Sequence, residues 1–232
     1  MRLPEGMWIF SSEGLSILSV DGTKTLKSLS AKEMDCGEGC NYFDLVSDGH
    51  KYVWANALHS SPNRIDVFSL ESGDYLGGVA ACDTPLDSDY VVNREELWVR
   101  CAGLADPEAP HAGHVRVIQA NSMGGISQDL RLTDRRSYGY ATFHSSLGNY
   151  GYATANDEGV IWKIDLANRL AVANFTIDKA FAAYDMTYSK VNKHLYIRSR
   201  VCCTCGFDGA DAATCGRGPG LPGQNIQTGP SM

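Results

Sequence analysis

Residues 65–73 have the sequence Ile-Asp-Val-Phe-Ser-Leu-Glu-Ser-Gly, and a second apolar run follows at residues 75–79. β-Branched and aromatic residues are prominent in both runs, while the Glu-Ser-Gly segment between them has the composition of a turn. The stretch therefore predicts a β-hairpin. Because hairpins of the same form return along the chain, this unit decides the fold.

Three further hairpins have this form. The Asp21-Gly22 pair in the first of them is a strong short-range hairpin signal. Asp66, Arg116 and Lys163 lie at matching points and are 50 and 47 residues apart, which indicates a repeat of about 48 residues. The paired strands of these hairpins are residues 14–20 with 25–29, 115–118 with 126–132, and 161–166 with 170–177.

A second family of hairpins alternates with the first. Its second strands resemble one another, and Val53, Trp98, Tyr152 and Tyr196 are 45, 54 and 44 residues apart. Two hairpins in each period give four short strands per repeat, which is typical of a β-propeller blade. The paired strands of this family are residues 42–46 with 51–56, 90–92 with 97–101, 139–144 with 150–155, and 184–188 with 194–198.

Each four-stranded unit is apolar on both faces near its middle, so it needs a neighbour on each side. The sequence therefore predicts an all-β chain, a β-propeller of four-stranded antiparallel blades. No segment shows sustained helical periodicity. Three whole blades are expected at residues 42–82, 90–132 and 138–178, with partial blades at residues 7–30 and 184–205.

These blades predict an incomplete ring. In the alternative, residues 14–30 join residues 184–201 and close a four-bladed ring. An antiparallel sandwich or an open meander would also be all-β. Sandwiches seldom repeat two hairpins at so constant a period, which favours the propeller.

Two parts of the chain differ in composition. We expect the propeller, or a fragment of one, over residues 1–205 and an irregular tail over residues 206–232. The tail has seven glycines and three prolines in its 27 residues and almost no large apolar side chain. This composition is typical of a loop between blades, and it favours a chain that stops before its next blade.

The charge balance excludes one class of partner. The net charge is −7, from 20 Lys and Arg against 27 Asp and Glu, and the basic residues do not cluster. Nucleic-acid binding needs clustered basic residues, so no nucleic-acid partner is expected. The chain also has no apolar run of 18 residues, so no membrane span is expected.

Eight cysteines are disulfide candidates, and such usage favours an oxidising compartment. The N-terminal residues 1–6 lack the apolar stretch of a secretory signal. We therefore expect an extracellular chain that is part of a larger precursor, with its signal upstream. The candidates are Cys36, Cys40, Cys82, Cys101, Cys202, Cys203, Cys205 and Cys215.

The spacing of these cysteines leaves several pairings open. Cys82 and Cys101 end neighbouring strands of successive repeats, so a disulfide between them is one expectation. Cys36 and Cys40 either close a small loop or pair elsewhere. The group at residues 202–215 could ligate zinc, but it lacks a second CxxC pair at the usual distance, and disulfides or an irregular loop are favoured.

Asn174-Phe175-Thr176 is the one N-glycosylation sequon in the chain, and it falls in a predicted outer strand. His111 and His114 invite a metal interpretation, but a solvated loop is favoured. Two His-Ser-Ser segments, at residues 59–61 and 144–146, are better explained by the repeat than by catalysis, because no GxSxG sequence accompanies them.

Four aspartates cluster near predicted blade entries, where acidic loops of some propellers bind cations. Capping of turns is the commoner role for such residues. We therefore predict no catalytic, cofactor-binding or metal-binding residue. The four are Asp44, Asp83, Asp87 and Asp89.

The order and spacing of the hairpins resemble the C-terminal propeller-like region of follistatin-like proteins 4 and 5. The likeness covers about residues 14–200. It implies a secreted, modular glycoprotein in which calcium belongs to EF-hand modules that this chain does not contain. The stretches that carry it are residues 63–70, 95–99, 114–122, 162–166 and 193–197.

The leading hypothesis is an extracellular protein-interaction module and not an enzyme, with growth factors or matrix components as the ligands that the resemblance implies. The alternatives are a metal-dependent, lactonase-like propeller hydrolase and a structural matrix or coat component. A hydrolase of that kind would bring carboxylates from three blades to one cation.

Overall fold

The computed structural model describes residues 6–11, 13–36, 41–58, 63–82, 84–101, 114–120, 125–131, 143–145, 149–155, 160–176, 181–189, 191–192, 194–201 and 225–226. Within these ranges the regular structure is β-strand, apart from a 3₁₀ turn at Val92–Arg94. No helix in them is long and apolar enough to cross a membrane. The predicted all-β class is confirmed.

Eighteen strands form five antiparallel sheets, with the orders β1-β2-β3, β4-β5-β6-β7, β8-β9-β10-β11, β12-β13-β14-β15 and β16-β17-β18. The strands are β1 Gly6–Ser11, β2 Gly14–Ser19, β3 Thr25–Ser30, β4 Asn41–Ser47, β5 Tyr52–Leu58, β6 Arg64–Ser69, β7 Tyr75–Ala80, β8 Pro85–Val91, β9 Glu96–Cys101, β10 His114–Gln119, β11 Gly125–Arg131, β12 Phe143–Ser145, β13 Tyr150–Ala155, β14 Val160–Asp165, β15 Leu170–Thr176, β16 Phe181–Ser189, β17 His194–Val201 and β18 Asn225–Ile226.

The three four-stranded sheets coincide with the three predicted whole blades, and the two three-stranded sheets with the partial ones. The chain divides into two compact units, residues 1–136 with strands β1–β11 and residues 137–232 with strands β12–β18. Strand β18 comes from the segment that we expected to be irregular, and it pairs with β17 through Leu195 and Tyr196.

A β-bulge recurs at one point of the hairpin that the sequence repeats. It falls after Ile17, Val67, Val117 and Lys163, which are 50, 50 and 46 residues apart. A bulge adds one unpaired residue and increases the local twist of the strands. The repeat is therefore structural as well as compositional, and β2-β3 is the counterpart of β6-β7.

A backbone hydrogen bond recurs in the three four-stranded sheets as well. The residue after the third strand donates its N–H to the residue before the second strand. The bonds run from Leu70 to Lys51 at 2.8 Å, from Ala120 to Glu95 at 3.0 Å, and from Leu166 to Asn149 at 2.8 Å. Each bond holds the two turns of its sheet side by side at one end.

The register corrects two details of the sequence alignment. Lys163 is the counterpart of Val67 and Val117, so its expected match with Asp66 and Arg116 was wrong by one residue. Trp54, Trp98 and Tyr152 all pair with the residue at the bulge of the next strand, namely Val67, Val117 and Lys163. Trp54 is therefore the counterpart of Trp98, and the expected alignment on Val53 was wrong by one residue. It failed because both residues are large and apolar, while only one faces each neighbouring sheet.

Strands β5 and β6 of the sheet β4–β7 show why blades must pack in series. Successive side chains of a strand point to opposite faces. Val53 and Phe68 pack with Leu15 and Ile17 of β2, on one face. The next residue of β5, Trp54, points to the other face and belongs to the core that this sheet shares with β8–β11.

Trp54 is the largest side chain of that second core. It is 2% exposed, and its ring stacks on Tyr90 of β8 with centroids 5.7 Å apart and planes 17° from parallel. Leu97, Val99 and Ile118 complete the apolar contact. In the second unit a smaller core of Tyr152, Ile161, Met186 and Leu195 joins its two sheets in the same manner.

We expect Trp54→Ala to lower the free energy of unfolding by about 3–5 kcal/mol, because it empties the centre of a two-sheet core. The measurement is urea unfolding followed by far-UV circular dichroism. Val92→Ala is the matched control, since Val92 is 67% exposed and its truncation should change stability by less than about 0.5 kcal/mol. Equal effects of the two substitutions would contradict this packing.

Candidate functional site

Cys82 and Cys101 form the disulfide that their positions led us to expect. Their Cα atoms are 5.9 Å apart, the bond joins residues separated by 19 positions, and both side chains are buried. Cys36 is also disulfide-bonded and buried. The candidates Cys40, Cys202, Cys203, Cys205 and Cys215 lie outside the described residues.

His114 differs from the expectation of a solvated loop. It is the first residue of β10, it is 7% exposed, and its cross-strand neighbour on β9 is Cys101. Ligand atoms of Cys82, Cys101 and His114 lie within 4.8 Å of one another. Zinc binds cysteine as the thiolate, so this group cannot act as a metal site while the disulfide is intact. His111 lies outside the described residues.

Arg100 is a fully buried cation beside this disulfide that the sequence analysis missed. Its guanidinium donates to the backbone carbonyls of Cys101 and of His114, the latter at 3.0 Å. Burial lowers the pKa of Arg100 to about 10, because desolvation disfavours the charged form. The guanidinium therefore links β9 to the start of β10.

A second buried charge, Asp66, lies on the opposite side of the sheet β4–β7. It forms an ion pair with Arg64, with Nε and Oδ1 2.7 Å apart, and it accepts hydrogen bonds from the hydroxyls of Tyr42 and Tyr75. Burial raises the pKa of Asp66 and raises that of Tyr75 to about 12. Arg64 also donates to the carbonyl of Met34, so the network connects the sheet β4–β7 to the turn that follows β3.

Two of the four aspartates singled out in the sequence, Asp44 and Asp87, lie together. Asp44 of β4 accepts two hydrogen bonds from Ser88 of β8, from its N–H at 2.8 Å and its hydroxyl at 2.9 Å. Burial raises the pKa of Asp44, and the side chain of Asp87 hydrogen-bonds to it. Asp44 and Asp87 therefore meet at the junction of two first strands, while Asp83 lies outside the described residues.

Asn56 of β5 is an unexpected neighbour of this junction. It is fully buried, and neither its amide oxygen nor its amide nitrogen has a hydrogen-bond partner among the described residues. The register places it opposite the bulge that contains Phe43 and Asp44. A buried amide without partners loses its hydration and gains nothing in exchange.

Carboxylates of three sheets do not converge in the part of the chain that the structure describes. The one group of three metal-ligating side chains found there is Cys82, Cys101 and His114. The arrangement that we expected of a lactonase-like hydrolase is thus not present among these residues.

Two surface features bear on interaction. Asn174 and Thr176 of the sequon are exposed on β15, which is the outermost strand of its sheet. In the first unit the turns at residues 20–24, 48–51, 70–74 and 92–95 form what we call the turn face. Lys27 of β3 supports it by donating to the carbonyl of Ser72 at 3.1 Å and by pairing with Asp74.

No protein-family model and no curated protein matches the chain. Solved structures do match it, and the three described here are β-propeller proteins. Hydrazine synthase of Kuenenia stuttgartiensis aligns over 84% of this chain and 52% of its own with a TM-score of 0.66 and 13% identity. Dihydro-heme d1 dehydrogenase NirN aligns over 80% and 37%, with a TM-score of 0.59 and 12% identity.

A third structure, apo AztD from Citrobacter koseri, aligns over 75% of this chain and 45% of its own, with a TM-score of 0.54 and 15% identity. The chain thus spans about half or less of the length of these three structures. Likeness at this level of identity shows the fold, and the fold is the β-propeller. None of these structures is a follistatin-like protein, so that resemblance remains a prediction.

Removal of the disulfide should destabilise the folded protein. We expect Cys82→Ala combined with Cys101→Ala to lower the free energy of unfolding by about 3 kcal/mol, because a loop of this length is no longer constrained in the unfolded chain. Urea unfolding of the two proteins measures the difference. Peptide mapping under non-reducing conditions provides the control, and alkylation of Cys82 or Cys101 without prior reduction would contradict the bond.

Proposed function

We propose that the chain is a protein-binding module of an extracellular glycoprotein related to the follistatin-like proteins, and that it binds a secreted or matrix protein and has no catalytic activity of its own. The observation that carries the proposal is the state of its cysteines. All the described cysteines, Cys36, Cys82 and Cys101, are buried and disulfide-bonded.

Buried disulfides persist in oxidising compartments and are rare in the cytosol, where thiol reductants remove them. The exposed sequon on β15 fits the same environment, because oligosaccharide is attached in the secretory pathway to accessible asparagine. Two independent features of the chain thus favour secretion.

The fold supplies a rigid support for binding. Each described sheet of the first unit has apolar packing on at least one face, so the strands cannot shift independently of their neighbours. Turns held by such a scaffold are the usual place for recognition residues. Val20 and Val92 are 70% and 67% exposed at the turn face, where apolar side chains gain free energy by burial in a partner.

The first test concerns glycosylation. The protein, secreted from eukaryotic cells with an added signal sequence, should carry an N-glycan at Asn174 that peptide N-glycosidase removes. Asn174→Gln should abolish the mass shift, and Thr176→Ser should retain it because the sequon survives. Secretion of a wild-type protein with no glycan would contradict the prediction for this site.

The second test concerns the partner. Immobilised wild-type protein should retain one or more secreted or matrix proteins from conditioned medium, as identified by mass spectrometry. Val92→Asp should reduce retention at least tenfold, because a charge replaces an apolar contact that binding would desolvate. Val172→Asp is the matched control, since Val172 is 47% exposed on β15, a strand that contributes no residue to the turn face.

One outcome would overturn the proposal, and a second would overturn the placement of the contact at the turn face. One is the absence of any protein that the wild-type surface retains above a scrambled-bait background. The other is equal retention by Val92→Asp and wild type, which would place the contact outside the turn face.

A further inference from the structure

The first strand of three sheets carries a bulge at one register position, and an aspartate occupies that position each time. Asp44 in β4 lies in the bulge between Tyr42 and Leu45, Asp87 follows the bulge in β8, and Asp185 follows the bulge in β16. Bulges of this type redirect a side chain and are often found beside functional sites. In these three sheets the repeat thus places an aspartate at the same register position of the first strand.

The residue opposite the bulge differs between these sheets. It is Arg100 in β9 and Arg198 in β17, but Asn56 in β5. Strands β9 and β17 therefore carry an arginine at this register position, and β5 carries a residue with a neutral amide. A cation bound beside Asn56 would restore the charge that arginine brings to the other sheets.

The side chain of Asn56 points to the face where a cation would meet carboxylates. Trp54, two residues earlier on the same face of β5, stacks on Tyr90 of β8. Strand alternation therefore directs Asn56 toward β8 too. Strand β8 presents Ser88, which binds Asp44, and Asp87 also reaches Asp44.

These groups have the chemistry of a site for a hard cation. Asp44 and Asp87 are half-buried, and two carboxylates in mutual contact repel one another unless a proton or a cation lies between them. The amide of Asn56 has an oxygen with no donor to satisfy it among the described residues. Carboxylate and amide oxygens are the ligands that calcium prefers, and calcium accepts irregular geometry with waters completing its coordination.

We propose that Asp44, Asp87 and Asn56 form a site for a divalent cation, calcium, at the junction of β4, β5 and β8. The cation bridges two neighbouring blades, so its binding stabilises the first unit. The proposal goes beyond protein binding and does not depend on it, because the site lies between strands and not on the turn face. A shared proton and a buried water are the competing occupants.

The experiment compares thermal unfolding of the full chain in EGTA, in calcium and in magnesium at constant ionic strength. Calcium at about one hundred times its dissociation constant should raise the Tm by about 5–10 °C. Terbium provides a second measurement that does not require unfolding. Its luminescence on excitation at tryptophan should rise on binding, because Trp54 lies close to Asn56, and calcium should displace it.

Three variants decide the assignment. Asn56→Val removes the amide oxygen, and Asp87→Asn removes a charge but keeps a hydrogen-bonding group for Asp44. Both should abolish the calcium-dependent rise in Tm and the terbium signal. Asp89→Asn is the matched control and should retain both. Asp89 pairs with Trp98 on β9, two residues beyond Asp87, which is the aspartate of β8 that hydrogen-bonds to Asp44.

Calcium or magnesium stabilisation that all three variants retain would overturn the proposal, since the cation would then bind elsewhere. Absence of any effect of both cations on the wild type would overturn it too. In that case Asn56→Val should stabilise the protein in EGTA by removing an orphaned amide, and the occupant is a water or a proton. If Asn56→Val fails to fold, terbium binding to Asp87→Asn and Asp89→Asn gives the same decision.

Discussion

The structure depends on one constraint, which is that a blade with two apolar faces must be covered on both. The sheet β4–β7 meets this constraint most completely, since Phe68 points to β2 while Trp54 points to β8. Burial of each face contributes free energy in proportion to the apolar area removed from water. A single blade could not retain that contribution, so the hairpins of the chain are stable only as neighbours of other hairpins.

The same packing determines where the polar chemistry can lie. Once the faces are apolar, every charged group that enters them needs a partner, and the partner comes from the adjacent sheet or strand. Asp66 forms an ion pair with Arg64 and accepts hydrogen bonds from two tyrosine hydroxyls. Asp44 accepts hydrogen bonds from Ser88, and Arg100 donates to two backbone carbonyls. Each of these interactions specifies how neighbouring strands align, which apolar contacts alone do not do.

Sequence reasoning predicted the strands and hairpins of the fold. It failed to predict burial and side-chain partners that depend on pairing between strands. The hairpins, their period and the Cys82–Cys101 bond follow from local patterns of alternation and spacing. His114 was assigned to a loop because its neighbours include proline and glycine, whereas the ladder with β9 makes it buried. The sequence analysis used Asp66 only to measure the period and did not single out Arg100. Their partners include residues on other strands, and local spacing does not show which strands pair.

Repetition of the backbone is what makes variation between blades informative. The bulges and the backbone hydrogen bonds recur at equivalent positions, so the main chain presents the same register positions in each sheet. A side chain that departs from its counterparts therefore marks a chemical difference and not a difference of fold. Asn56, in the place that Arg100 and Arg198 take in other sheets, is such a departure. A repeat protein can diversify its chemistry one position at a time, because the constraint on its faces already fixes the geometry around each position.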